Sequence, residues 1–148
     1  MISIEEVDHL GIRVTDLQRA LDFYEVLGFE LQHKVEFDDV VIIKNTHGVE
    51  INLIVNGVDL TNRKNILMDV PEKHPGYTHV ALRVSSIVET MEILDQNDIT
   101  PSQGPVTFGD DGKVSVFIRD PDRNVIELRG RMEDESKIPG LVFYDPQA

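Results

Sequence analysis

The sequence predicts an α+β protein made of two tandem βαβββ modules. This prediction rests on an internal repeat: residues 7–31 and residues 77–101 both read as an alternating strand followed by an amphipathic helix. Each copy is then followed by a strand–turn–strand pattern, at residues 38–55 and at residues 111–130. Two copies of one supersecondary pattern indicate a duplicated fold.

The repeat sets the predicted domain organisation. The first module covers residues 5–56 and the second covers residues 76–130, within a single domain of residues 1–148. The segment between the modules has the composition of a loop. Residues 131–148 form a C-terminal arm whose apolar segment "LVFY" is expected to contact the body or a partner chain.

Each predicted helix has a capping signal at its start and an apolar stripe along one face. The signals are Thr15 with Gln18 and Ser86 with Glu89, since a hydroxyl followed three residues later by Glu or Gln is typical of a helix N-terminus. The stripes are formed by Leu17, Ala20, Leu21, Tyr24 and Leu27, ending at Gly28, and by Ile87, Met91 and Leu94, ending near Asn97. From these stripes and the strand patterns, the expected core includes Leu21, Tyr24, Ile51, Leu82 and Leu128.

Composition excludes several classes of function. The chain carries 14 Lys+Arg against 27 Asp+Glu, a net charge of −13, which disfavours binding to nucleic acid and to anionic membranes. It has no Cys, so disulfides, thiolate ligands and a Cys nucleophile are excluded. No signal peptide pattern and no apolar stretch of about 20 residues is evident, so we expect a cytoplasmic protein.

Strand alternation indicates where the polar residues of each module point. His9 and Arg13 share the face opposite to Leu10 and Ile12, and His79 is placed in the same way in the second module. In the last strand of each module a glutamate, Glu50 or Glu127, also faces away from the helices. The separation in sequence between His9 and His79 is similar to that between Glu50 and Glu127. The longer connection within the second module accounts for the difference between the two separations.

These four residues have two interpretations. A single His in a strand is more often a hydrogen-bonded polar residue than a ligand, and a single strand Glu is usually solvated. Duplication favours the other interpretation, because two His and two Glu in matched positions fit one metal site with nitrogen and oxygen ligands. The remaining histidines, His33, His47 and His74, are expected to be ordinary surface residues.

The motifs "VDHLGIRVTDLQRALDFYEVLGFE", "YTHVALRV" and "DPDRNVIELRG" resemble the vicinal oxygen chelate superfamily, which includes glyoxalase I, extradiol dioxygenases and methylmalonyl-CoA epimerase. The similarity covers residues 5–130. It implies two modules with curved mixed sheets around a cleft. It also implies a homodimer, in which one module of each chain contributes to a shared site.

Within the superfamily the His-Glu-His-Glu pattern is most similar to glyoxalase I. The resemblance implies His9, Glu50, His79 and Glu127 as ligands of one divalent ion, which could be Ni, Zn, Co, Mn or Fe. It implies isomerisation of a hemithioacetal or a related small carbonyl compound, with a glutathione adduct as one candidate substrate, as in a lactoylglutathione lyase. The resemblance further implies that Glu127 or Glu50 is the base that removes the proton next to the carbonyl, that the ion binds the resulting enediolate, and that Arg13 and Lys113 bind the substrate.

Three alternatives stay open at this level. A ring-cleaving dioxygenase with ferrous iron uses two His and one Glu. A CoA-ester epimerase usually has Gln at the first carboxylate position, and a resistance protein of the same fold binds a small molecule without turnover. Arg123 stands where many relatives have Gly in the turn of the last motif.

Overall fold

The computed structural model describes residues 1–59, 62, 64–109, 111–132 and 138–147. The chain divides into two compact units, Met1–Arg63 and Lys64–Ala148. Each unit contains one α-helix and one mixed sheet, so the predicted α+β class is confirmed. None of the helices within the described residues is long and apolar enough to cross a bilayer.

The first unit is built from one helix and a four-stranded sheet. Its elements are β1 (Leu10–Arg13), α1 (Leu17–Val26), β2 (Glu30–Lys34), β3 (Val40–Lys44) and β4 (Glu50–Ile54). The strand order is β1-β4-β3-β2, in which β1 and β4 run parallel and the other neighbours are antiparallel. The last strand of the module therefore lies directly beside the first.

The second unit repeats this order and adds one strand. Its elements are β5 (Val80–Arg83), α2 (Ile87–Gln96), β6 (Gln103–Thr107), β7 (Lys113–Arg119), β8 (Val125–Arg131) and β9 (Val142–Phe143). The strand order is β5-β8-β7-β6-β9, again with the first and last strands of the module parallel. The extra strand β9 comes from the C-terminal arm and pairs with β6; within that arm, residues 133–137 and 148 lie outside the described residues.

The two helices begin at different kinds of cap. The prediction of Thr15 as the cap of α1 is wrong: Asp16 has the extended backbone of a cap, and its carboxylate accepts the N–H of Arg19 at 2.8 Å. The Thr15 hydroxyl instead accepts a hydrogen bond from the Arg19 guanidinium. The second prediction is confirmed, because the Ser86 hydroxyl accepts the N–H of Glu89 at 3.1 Å.

The predicted core is only partly buried. Tyr24, Ile51 and Leu128 are buried, with exposed fractions of 0%, 0% and 4%. Leu21 and Leu82 are half-buried instead. Leu82 lies in β5, which has a neighbour on one side only, and Leu21 flanks the helix stripe rather than lying at its centre. Periodicity thus predicts the correct face of each element but not its depth.

The turn that joins β7 to β8 is organised by a buried carboxylate. Asp120 is 2% exposed, and its Oδ1 accepts the N–H groups of Asp122 and Asn124 at 2.9 and 2.8 Å. The Asn124 side chain donates to the other oxygen at 2.8 Å. Arg123 adopts φ = 71°, a backbone region that favours Gly. These bonds align β7 with β8.

A second carboxylate holds the start of the second unit against this turn. Asp69 receives two bonds from the Arg119 guanidinium, at 2.9 and 3.3 Å, and one from the N–H of Asn65 at 2.8 Å. Burial by itself raises the pKa of Asp69, but the Asn65 hydrogen bond and the cations Arg119 and Arg123 outweigh it. The net pKa of Asp69 lies below its ordinary value of 3.8.

We expect Asp69→Asn to lower the free energy of unfolding at pH 7 by about 1–2 kcal/mol, because it breaks a part-buried bidentate ion pair. A carboxylate with a depressed folded-state pKa stabilises the fold above its unfolded pKa. That contribution is lost as pH falls through the folded pKa. The difference from wild type should therefore shrink below about pH 3.8 in urea unfolding series. The exposed helix variant Glu92→Gln is the control, and a pH-independent deficit in Asp69→Asn would contradict the assignment.

Candidate metal centre

His9 and Glu50 come together in the first unit because β1 and β4 are parallel neighbours. His9 directly precedes β1, Glu50 opens β4, and the register pairs Leu10 with Ile51. Donor atoms of Asp8, His9 and Glu50 all lie within 4.8 Å of one another. His9 and Asp8 are exposed, and Glu50 is half-buried. The unit thus gathers one imidazole and two carboxylates at one end of its sheet.

His79 and Glu127 form the corresponding pair in the second unit. His79 directly precedes β5, and Glu127 lies within β8, where it is paired with Ala81. The His79 Nε2 atom is 3.1 Å from Glu127 Oε2. Glu127 is 7% exposed, so this carboxylate is the more deeply buried member of the pair. The mid-strand carboxylate of Glu127 is therefore buried beside an imidazole.

In each pair the residue before the histidine contacts the Nδ1 atom. Asp8 Oδ1 lies 2.6 Å from His9 Nδ1, and Thr78 Oγ1 lies 2.9 Å from His79 Nδ1. A contact at Nδ1 fixes the orientation of the ring and leaves Nε2 as the atom for coordination, as in many metal sites. Neither Asp8 nor Thr78 carries a signal of its own in the sequence, although each lies next to a predicted ligand.

The donor atoms of the second unit fit a divalent ion. An ion with ligands at about 2.0–2.2 Å holds two neighbouring donors, at a right angle, about 3 Å apart. The 3.1 Å between His79 Nε2 and Glu127 Oε2 agrees with this separation. Imidazole nitrogen with carboxylate oxygen is also a donor set that first-row divalent ions accept. The residues present therefore suit the metal that the resemblance implies.

Glu127 is held from behind by a chain of polar contacts. Ser115 is fully buried in β7, and its hydroxyl donates to Glu127 Oε1 at 2.5 Å. Arg129 donates to the Ser115 hydroxyl at 2.8 Å, has Nη1 3.6 Å from Glu127 Oε1, and forms an ion pair with Asp111. One carboxylate oxygen is therefore fixed within the protein while the other faces His79. Sequence spacing gave no signal for this network, because its members meet only through strand pairing.

Glu50 and Glu127 do not occupy equivalent positions, which corrects the prediction of a duplicated His/Glu placement. In the second unit Glu127 pairs with Ala81, two residues after His79. In the first unit Gly11 is two residues after His9, and it pairs with Asn52. Glu50 lies two residues before Asn52 in the same strand. A shift of two keeps a side chain on the same face, so alternation alone does not reveal it.

The two predicted substrate-binding cations are both exposed. Arg13 ends β1, and its Nε donates to Asn56 Oδ1 at 3.0 Å. Lys113 begins β7, and its backbone N–H donates to Asp111 Oδ1 at 3.1 Å. Because residues two apart in a strand share a face, Lys113 is on the same side of its sheet as Ser115. Both positions are thus open to a soluble anion.

An aromatic side chain adjoins the second pair. The ring of Phe117 lies edge-on to the His79 imidazole, with centroids 5.8 Å apart. Phe108 packs edge-on against Phe117 and also contacts Tyr144 of the C-terminal arm. The imidazole itself stays partly exposed, with 36% of the His79 side chain accessible. The arm is therefore connected to His79 through the rings of Phe108 and Phe117. The expected contact of the "LVFY" segment with the body is made by Tyr144.

Fold and site together define an α+β protein of paired βαβββ modules, each of which brings a histidine beside a carboxylate. The sequence model of the Glyoxalase/Bleomycin resistance protein/Dioxygenase superfamily matches residues 6–128. The chain belongs to this superfamily, as the resemblance implied.

Several relatives are similar over most of their length. A lactoylglutathione lyase of Escherichia coli O157:H7 is 35% identical over 131 residues, covering 81% of this chain and 88% of that protein. The crystal structure of a virulence protein from Salmonella typhimurium has 26% identity and a TM-score of 0.64, covering 88% of this chain and 99% of that one. A glyoxalase family protein from Bacillus cereus shares the fold at 18% identity, with a TM-score of 0.67 and coverages of 89% and 97%.

We predict that Ser115→Ala weakens binding of a divalent ion by about 10–100-fold, because residues that orient a ligand typically contribute this much to metal affinity. The measurement is chelator competition on the purified protein. Thr107→Val is the matched control, since Thr107 is also buried in the second unit and its hydroxyl bonds only the Gly109 carbonyl among the contacts described. Equal affinities for Ser115→Ala and Thr107→Val would show that Ser115 does not orient Glu127.

Proposed function

We propose that this protein is a cytoplasmic, homodimeric, metal-dependent enzyme of the glyoxalase I type. It isomerises a hemithioacetal or a related small carbonyl compound by proton transfer. The observation that carries the proposal is the His79–Glu127 pair, whose donor atoms are 3.1 Å apart in the geometry of neighbouring ligands. Relatives named lactoylglutathione lyase, at 33–35% identity, support the same reaction class.

The proposed ligands are His9, His79 and Glu127, with an oxygen donor from β4. Glu50 is the β4 residue that the sequence analysis predicts for this role. The support in the first unit is that the donor atoms of His9 and Glu50 lie within 4.8 Å of each other. Four protein ligands leave about two positions on an octahedral ion, enough for two adjacent substrate oxygens.

When bound, the ion supplies Lewis-acid stabilisation of negative charge on the substrate oxygens. The protein must supply the base that removes the adjacent C–H proton, and the two candidates are Glu127 and Glu50. Glu127 is favoured, because Ser115 holds its Oε1 in place while Oε2, the atom beside His79, would detach from the ion and take the proton. A positioned carboxylate with one committed oxygen is well suited to move a proton over a short, defined path.

Arg13 and Lys113 are proposed to bind an anionic group of the substrate. Both are exposed cations in β1 and β7, on a chain whose net charge is −13. An anionic substrate approaching such a chain needs local positive charge, which these side chains provide. A thiol adduct that carries carboxylates, such as a glutathione adduct, has this character.

The first test of this proposal is metal dependence. Protein stripped with a chelator should lose isomerase activity toward a hemithioacetal and regain it with one of Ni, Co, Mn, Zn or Fe. His79→Ala and Glu127→Ala should each lower metal affinity and lower kcat/KM by about 100-fold or more, since each loses a ligand. His33→Ala, which changes an exposed strand histidine, is the control. Full activity in metal-free protein, or oxygen consumption in place of isomerisation, would contradict the proposal.

The same variants test whether sites are shared between chains. In a homodimer whose sites combine the first module of one chain with the second module of the other, His9→Ala and Glu127→Ala subunits complement each other. Each mixed dimer has one site with both defects and one site with neither. Mixing after reversible unfolding should then restore part of the activity. A monomer in sedimentation, or no recovery on mixing, would refute shared sites without touching the metal assignment.

The role of Arg13 is tested by kinetics. Arg13→Ala should raise KM about tenfold or more and change kcat by less than about threefold, because it removes a charge-assisted contact made equally in ground and transition states. Arg19→Ala is the control, since it makes the same charge change in the same unit on α1. If both variants have the kinetics of wild type, Arg13 does not contact the substrate.

A further inference from the structure

The two sheets pair their first and last strands in the same register relative to the histidines. Gly11 pairs with Asn52 in the first unit, and Ala81 pairs with Glu127 in the second. Gly11 and Ala81 each lie two residues after the module's histidine. Asn52 is therefore the counterpart of Glu127.

The neighbours of these two residues agree with that equivalence. Asn52 stands between Ile51 and Leu53, which are both 0% exposed. Glu127 stands between Ile126 and Leu128, with exposed fractions of 0% and 4%. Both strands thus bury Ile and Leu on the helix side and present one oxygen-bearing side chain on the other face.

The Asn52 side chain has an unsatisfied acceptor. Its Oδ1 atom is buried and has no hydrogen-bond partner among the described residues. An unpaired buried carbonyl oxygen destabilises the fold, so buried polar atoms are nearly always satisfied by a partner. An amide oxygen is also an established ligand of divalent cations. A bound ion on this face would satisfy it.

Glu50, in contrast, already has a cationic partner. Its Oε1 lies 3.3 Å from Lys44 Nζ, directly across the antiparallel pair of β3 and β4. By register Glu50 is the counterpart of Val125, a residue with no donor atom. Glu50 lies beside His9 and is therefore the competing candidate for the ligand from β4. Its register differs from that of Glu127, and its carboxylate already has a partner in Lys44.

We propose that Asn52 Oδ1, rather than Glu50, is the oxygen ligand that β4 contributes to the metal; this rests on the proposed function above. The ligand set is then His9, Asn52, His79 and Glu127, with one carboxylate instead of two. A divalent ion in this set keeps one more unit of positive charge than it would with Glu50. That charge strengthens the attraction for an anionic or carbonyl substrate on an acidic protein.

Cobalt binding to the full-length protein separates the two ligand assignments. Co²⁺ is titrated under chelator competition into four metal-free proteins: wild type, Asn52→Leu, Asn52→Asp and Glu50→Leu. Elemental analysis gives the stoichiometry, and the visible absorption of bound Co²⁺ is recorded. We expect Asn52→Leu to weaken Co²⁺ at least about tenfold and to change the spectrum, because an oxygen ligand is lost. Glu50→Leu should stay within about threefold of wild type with an unchanged spectrum.

Asn52→Asp guards against a simple folding defect, because it keeps the length of the side chain and adds charge. It should bind Co²⁺ more tightly than wild type and show a larger rise in Tm on adding Co²⁺, since binding to the native state alone stabilises it. Loss of Co²⁺ in Glu50→Leu with wild-type binding in Asn52→Leu and Asn52→Asp would overturn this inference alone. A wild type that binds no stoichiometric Co²⁺ would overturn the proposed function as well.

Discussion

The parallel pairing between the first and last strands of each module is the constraint on which the rest of the structure depends. A parallel pair cannot be joined by a tight turn and needs a long crossover, which in each module consists of the helix and two further strands. This arrangement brings residues far apart in sequence, such as His79 and Glu127, onto neighbouring strands. The hydrogen-bond register of that one pair then decides which side chains meet beside each histidine.

Beside this pair, the buried polar network of the second unit is formed by side chains from different strands. β8 carries Glu127, β7 carries the Ser115 hydroxyl that fixes one of its oxygens, and the position before β5 carries His79. The Asp120 turn keeps β7 and β8 aligned so that the serine stays opposite the carboxylate. Stability and site geometry are therefore linked, because the bonds that set the strand register also hold the Glu127 carboxylate beside His79.

The sequence was sufficient to predict the α+β class and the order of the elements in each module. These follow from local periodicity, which depends only on nearby residues. The register between distant strands was not predictable in this way. Since side chains repeat every two residues, Glu50 and Asn52 share a face, and only pairing with Gly11 distinguishes them. The Ser115–Arg129 contact was not predictable for the same reason. Thr15 was predicted as the helix cap in place of Asp16 because both residue types are good hydrogen-bond acceptors at a helix N-terminus.

The short strand β9 has a consequence for the protein's solubility. It pairs with the outer side of β6, where Val106 and Thr107 would otherwise present unpaired backbone groups. An uncovered strand edge is a template for another chain, and proteins usually shield such edges. In the four-stranded sheet of the first unit, every residue of the outer strand β2 is exposed, but the strand carries Glu30, His33 and Lys34 and an irregularity in its pairing. The C-terminal arm thus acts as a guard against edge-to-edge aggregation, and a shortened chain that ends before Val142 would leave β6 open.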